Sequence, residues 1–139
     1  MNIKVAMVLT LVGIMTLCLV VTKPAANHAF AAATIQKTCN LTLKADPGSG
    51  SLATGESAEQ KLSGTLTCGF TALEGATITF SGLPPGMAAG AFVTDSSGNF
   101  QGPSFLVHPG DSFSPRAHYA GDSGHAGAAA GLIIKMSTK

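Results

Sequence analysis

Cys39 and Cys68 each sit at one end of a short run in which apolar residues recur at alternate positions, and this coincidence constrains the fold more than any other feature of the chain. Cys39, Leu41 and Leu43 share one face of an extended segment, and Leu62, Leu66 and Cys68 share one face of another, because successive side chains of a strand point to opposite sides. If the two segments pair antiparallel across the Gly- and Ser-rich stretch 46–56, Cys39 falls beside Cys68. A slip of one residue would turn the leucines to the other face, so apolar pattern and cysteine position agree on one register. In an exported protein such cysteines are joined. Closing the loop would then stabilise the fold by about 3 to 4 kcal/mol in the chain-entropy model. The alternative is two reduced thiols in the core, which requires a reducing compartment.

The N-terminus argues for export. Met1-Asn-Ile-Lys4 is a short basic start, residues 5–21 are apolar and uncharged, and Ala29-Phe-Ala31 has the small residues of a cleavage site. These are the parts of a secretory signal peptide, residues 1–31, which leaves 32–139 as the mature chain. The rival is an uncleaved anchor, since the apolar run approaches the length of a short membrane-spanning helix. Cys18 follows Met15-Thr-Leu17, whereas a lipoprotein signal needs a small residue just before its cysteine. Cleavage removes Lys4 and Lys23 from the eight Lys and Arg, leaving six against seven Asp and Glu, a net charge of −1. Such a balance offers no basic face for nucleic acid. It also offers no polybasic patch for a membrane, so membrane contact is expected only if the leader stays attached.

Beyond a short linker at 32–37, residues 38–139 have the length of one β domain. No stretch there keeps a helical period, and strands are expected at 38–44, 60–68, 76–81, 90–94, 99–107, 116–120 and 129–137. Between them lie turn sequences such as Asp46-Pro-Gly-Ser-Gly50, Gly82-Leu-Pro-Pro-Gly86 and His108-Pro-Gly-Asp111, in which Pro presets φ, Gly accepts positive φ, and Asp and Ser bond their own backbone. About seven short strands at such spacing predict an all-β antiparallel sandwich. Its expected core adds Ile78, Phe80, Phe100, Leu106, Ala117, Tyr119, Leu132 and Ile134 to the cysteines and leucines named above.

Lys61-Leu-Ser-Gly-Thr-Leu-Thr67, Gly75-Ala-Thr-Ile-Thr-Phe80, the hairpin Asp95-Ser-Ser-Gly98 and above all Ala117-His-Tyr-Ala-Gly-Asp122 resemble the Ig-like domains of bacterial or archaeal secreted and cell-surface proteins. The resemblance implies an Ig-like sandwich in which Tyr119 packs inward while Gly121 and Asp122 turn the chain into its last strand. It implies scaffolding or adhesion outside the cell. Cys39 and Cys68 are additions to that pattern, and Pro115 stands where the sixth strand would begin, which moves its start to Arg116.

Several chemistries compete. Gly121-Asp-Ser-Gly124 matches four letters around the nucleophile of trypsin-like proteases, but His125-Ala126 follows and no His lies suitably upstream in the order His, Asp, Ser. A blue-copper set from His118, His125 and Met136 lacks the nearby thiolate. His118, Asp122 and His125 flank one turn and are candidates for a small ion site, although two imidazoles and one carboxylate leave a metal incompletely coordinated. Asp95, Asp111 and Asp122 read as turn residues before calcium ligands, and Glu56 and Glu59 lie on a polar loop rather than as an acid–base pair. The small apolar stretches 87–93 and 126–134 fill tight inter-sheet space or form sheet edges open to another chain.

These residues point to an exported module, secreted or at the cell surface, without catalysis or cofactor. Its expected partners are other surface or extracellular proteins or glycans, with self-association through a sheet edge as a further route. The alternative is a secreted binding protein with an ion site at His118, Asp122 and His125.

Overall fold

The computed structural model describes residues 34–88 and 90–139. The expected leader 1–31, its expected cleavage site and Cys18 lie outside them. A β body spans Ile35–Lys139. Eleven strands are present among the described residues: β1 (Cys39–Asp46), β2 (Gly50–Leu52), β3 (Ala58–Cys68), β4 (Thr71–Ala72), β5 (Thr77–Ser81), β6 (Ala91–Val93), β7 (Asn99–Val107), β8 (Ser112–Phe113), β9 (Arg116–Tyr119), β10 (Ala128–Gly131) and β11 (Ile134–Thr138). The described residues contain no helix. The architecture is all-β, with antiparallel sheets around a shared core, consistent with a sandwich.

One sheet is built on β3, which pairs antiparallel with β1 on one side and with β7 and the short β4 on the other. Cys39 stands opposite Cys68, Leu41 opposite Leu66 and Leu43 opposite Gly64, the register expected from the alternation. The two sulfurs are bonded, with the Cα atoms 3.9 Å apart. Gly64 has a packing reason. A Cβ there would lie 2.0 Å from the Thr42 carbonyl oxygen and 2.5 Å from the Phe100 ring. Near the far end of β3, Gln60 is fully buried, and its amide donates to the Gly48 carbonyl at 2.8 Å and accepts from the Gly48 N–H at 2.9 Å. The loop after β1 is thereby satisfied from inside.

A second sheet has the order β10-β9-β5-β6, antiparallel throughout. Ile78, Phe80, Ala117 and Tyr119 face inward from it and meet Leu41, Leu62, Leu66 and Phe100 of the first sheet. The edge of Phe80 packs on Phe92 and on Phe100, with centroids 5.3 and 6.0 Å apart, an arrangement favoured by ring quadrupoles.

The expected last strand, 129–137, divides into β10 and β11. The register is continuous across the break, because Gly131 pairs with Arg116 and Ile134 with Phe113. The ladder pauses opposite Ser114-Pro115, where proline has no N–H to give, and a single bond from the Leu132 N–H to the Pro115 carbonyl spans the gap. Below it β11 acquires a parallel neighbour, β2.

Leu106 is a correction to the expected core: it is 59% exposed, whereas Phe105 and Val107 are buried. The cause is a β-bulge. Lys61 pairs with Ser104 but Ser63 with Gln101, so Gly102 and Pro103 both stand against Leu62. The extra residue switches the inward phase of β7 from Phe100 to Pro103, Phe105 and Val107. Leu132, Leu43 and Cys39 are partly buried and pack against the core rather than within it.

Candidate functional site

Tyr119 ends β9 with its ring inward and 5% exposed. The chain must then double back, and Gly121 allows this with φ at +86°, a conformation that costs glycine little. A Cβ at Gly121 would stand 2.7 Å from the Gly127 nitrogen and 2.8 Å from the His125 carbonyl oxygen. Asp122 follows, and its carboxylate collects donors from three directions. The Tyr119 hydroxyl donates to Oδ2 at 2.9 Å, the Gly124 N–H to Oδ1 at 2.8 Å, and the His125 Nδ1 lies 2.9 Å from both oxygens. The backbone closes the same turn through the Asp122 N–H, which donates to the His125 carbonyl at 2.9 Å.

This geometry moves both titrating groups. The His125 ring, then the Gly124 amide and the Tyr119 hydroxyl, hold the Asp122 carboxyl down at about 2 against an ordinary 3.8. Burial first, then the hydrogen bond and charge of Asp122, push the Tyr119 phenol up to about 12 from 10.0. Donors to the charged carboxylate favour ionisation, while a desolvated phenol beside an anion resists it.

The turn also clasps the N-terminal approach to the body. Gln36 donates its side-chain amide to the Asp122 carbonyl at 2.7 Å, the Lys37 N–H donates to the Gly124 carbonyl at 2.8 Å, and the Ala126 N–H donates to the Lys37 carbonyl at 2.9 Å. The last two residues of the expected linker are thus tied to the body. Beside the clasp an open cleft of about 270 Å³ lies between residues 73–77 and 119–122. Its first wall is pinned by Thr94, whose buried hydroxyl accepts from the Ala76 N–H at 2.9 Å and donates to the Leu73 carbonyl at 2.6 Å.

Of the ion-site candidates, Asp122 and His125 meet, whereas His118 is exposed on the face of β9 opposite Tyr119. No group of three or more His, Cys, Asp and Glu side chains able to hold a metal occurs among the described residues. Met136 is buried in the core, and Cys39 and Cys68 are joined in the disulfide. Asp95 accepts from the Ser97 and Asn99 N–H groups at 2.9 Å, and Asp111 accepts from the His108 N–H at 2.8 Å. Glu56 likewise accepts from the Ala53 N–H at 2.9 Å. These carboxylates organise turns. Of the two apolar stretches, 87–93 contributes β6 at one edge of its sheet and 126–134 contributes β10 at the other. Met87, Phe92, Ala128 and Ala130 pack inward, while Val93 and Ile133 are exposed.

Comparison with protein-family models, with curated proteins and with solved structures finds no match to this chain.

Gln36, Gln60 and Thr94 escape sequence reasoning. Each is a polar residue in an irregular or half-polar stretch, and only the tertiary fold supplies the backbone groups it binds.

Proposed function

We propose that the chain is an exported, non-catalytic Ig-like module with a structural, adhesive or interaction role, secreted or at the cell surface. The observation that carries the proposal is the pairing order. β1 pairs antiparallel with β3, which pairs with β7, and the other layer runs from β10 through β9 and β5 to β6, with β2 adding in parallel to the final strand. An Ig sandwich distributes its strands in this way, two antiparallel layers related by crossed connections. Tyr119, buried at the end of β9 and tied to Asp122, supports this reading. The step from architecture to role is an analogy of fold.

Two features support action outside the cytoplasm. The Cys39–Cys68 bridge belongs to an oxidising compartment, and the basic, apolar and small-residue parts of the N-terminus read as an export signal. No helix among the described residues is long and apolar enough to cross a membrane. Exposed Phe70, at the turn after β3, and exposed Val93 and Leu106 offer apolar points for a partner.

Fractionation of cells making the full chain, followed by intact-mass measurement, tests the reading. The expected product is recovered outside or at the surface, has lost residues 1–31 and has lost one hydrogen per thiol. Beads coated with it should bind saturably to cells or to their surface polymers. Retention inside the cell with both thiols free, or beads indifferent to every surface of the producing cell, would overturn the proposal.

A further inference from the structure

Asn40-Leu-Thr42 is an Asn-x-Thr sequence with a residue other than proline in the middle, the acceptor pattern for N-linked glycans. The other asparagines, Asn2, Asn27 and Asn99, are followed two residues later by Lys, Ala and Gln. Position in the fold adds an independent observation. Asn40 is exposed on β1, while its neighbour Leu41 is buried, so the asparagine side chain points outward from the domain. Across the ladder it faces Thr67, and Thr42 faces Thr65 with its hydroxyl oxygen 2.7 Å from that of Thr65. The surroundings of Asn40 on this sheet are hydroxyls and no carboxylate stands in register with it. A bulky, neutral, polar substituent is accommodated there without displacing any buried group.

We infer that Asn40 is a glycan attachment site. The inference rests on the proposed export, because transfer of sugar from a lipid-linked diphosphate donor takes place on the exterior side of a membrane. The amide nitrogen Nδ2 of Asn40 forms a bond to the anomeric carbon of the donor's first sugar. The bond from that carbon to the diphosphate oxygen breaks, the lipid diphosphate leaves with the electron pair, and one amide proton is released. No electrons are gained or lost.

The same geometry sets a timing. Asn40 is adjacent to Cys39 in the chain and lies within a paired strand, whereas an acceptor must be free to enter a transferase. Once the bridge closes and β1 docks on β3, the backbone of residues 39–42 is no longer available. Glycan transfer and disulfide closure therefore compete for one segment.

Trypsin releases residues 38–44 as one peptide after reduction, between Lys37 and Lys44, and its mass in protein recovered from outside the producing cells tests the site. The expected result is a glycan on this peptide, lost in Asn40→Gln and Thr42→Ala and retained in Thr42→Ser. A Cys39→Ser/Cys68→Ser variant should show a higher modified fraction than the parent. Asn40→Gln alters an exposed side chain, and its thermal unfolding should stay near that of the enzymatically deglycosylated parent. An exported, processed chain with an unmodified peptide overturns the site and leaves the export reading standing. A chain held inside with its leader intact and its peptide unmodified overturns both.

Discussion

Tyr119 is the only tyrosine of the chain, and tryptophan is absent, so ultraviolet absorbance at alkaline pH reports ionisation of this one buried phenol. Its midpoint should lie near 12 in the folded protein. In Asp122→Asn it should fall toward 10.0 without reaching it, because burial, the largest cause, remains. The neutral phenol is the form the fold prefers, so its contribution to stability is intact below 10.0 and disappears as the pH rises through about 12. Asp122 has the opposite sign. Its contribution is present above 3.8 and is lost as the pH falls through about 2. Asp122→Asn should accordingly be less stable than the parent at neutral pH, with the gap closing over that acid interval in denaturant titrations. Tyr119→Phe keeps the packing and deletes one hydrogen bond, and should cost about 0.5 to 1.5 kcal/mol in urea unfolding.

The bulge in β7 makes a prediction about the element as a whole. Phe105→Ala should destabilise by about 3 to 5 kcal/mol, since the ring is buried and packs edge-on against Phe113 at 5.8 Å. Leu106→Ala should stay within about 0.5 kcal/mol. Equal costs would mean that the inward phase does not switch at Gly102-Pro103. Gly64→Ala, which adds a methyl against the Thr42 carbonyl and the Phe100 ring, should cost at least the roughly 1 to 3 kcal/mol typical of overpacking. The contrast between β3 and β7 shows what could be read from the chain. Alternation in β1 and β3 runs unbroken to the cysteines, so pattern and cysteine position together fix their register. In β7 the same rule, extended past Gly102, turns Leu106 inward, because a bulge depends on how the partner strand packs rather than on a local period. β2, β4 and β8 have two or three residues each, too few for any period to register. Pro115 was legible as a strand limit because its missing N–H is a property of the residue itself. The pairing of Asp122 with His125 was only half legible: their spacing put both on one turn, but the doubling back at Gly121 decides that the ring and the carboxylate meet.

For the whole molecule, the bridge between Cys39 and Cys68 acts chiefly on the unfolded chain. Replacing both by Ala should lower stability by about 3 to 4 kcal/mol and raise the urea dependence of unfolding, because the released chain exposes more surface. The sheets also have rims. On the first sheet one rim is β1 and the other is β7, each pairing with β3 alone among the described strands, and the nine residues of β7 are enough to template another strand. Midway along β7 stand a bulge and Pro103, which has no N–H to offer any neighbour. Pro103→Val restores that donor, and the expected outcome is concentration-dependent light scattering at protein levels where the parent stays clear. Without that interruption, neighbouring copies at high concentration could zip into fibres along this rim. The interruption leaves this rim without an unbroken ladder for a copy of itself to extend.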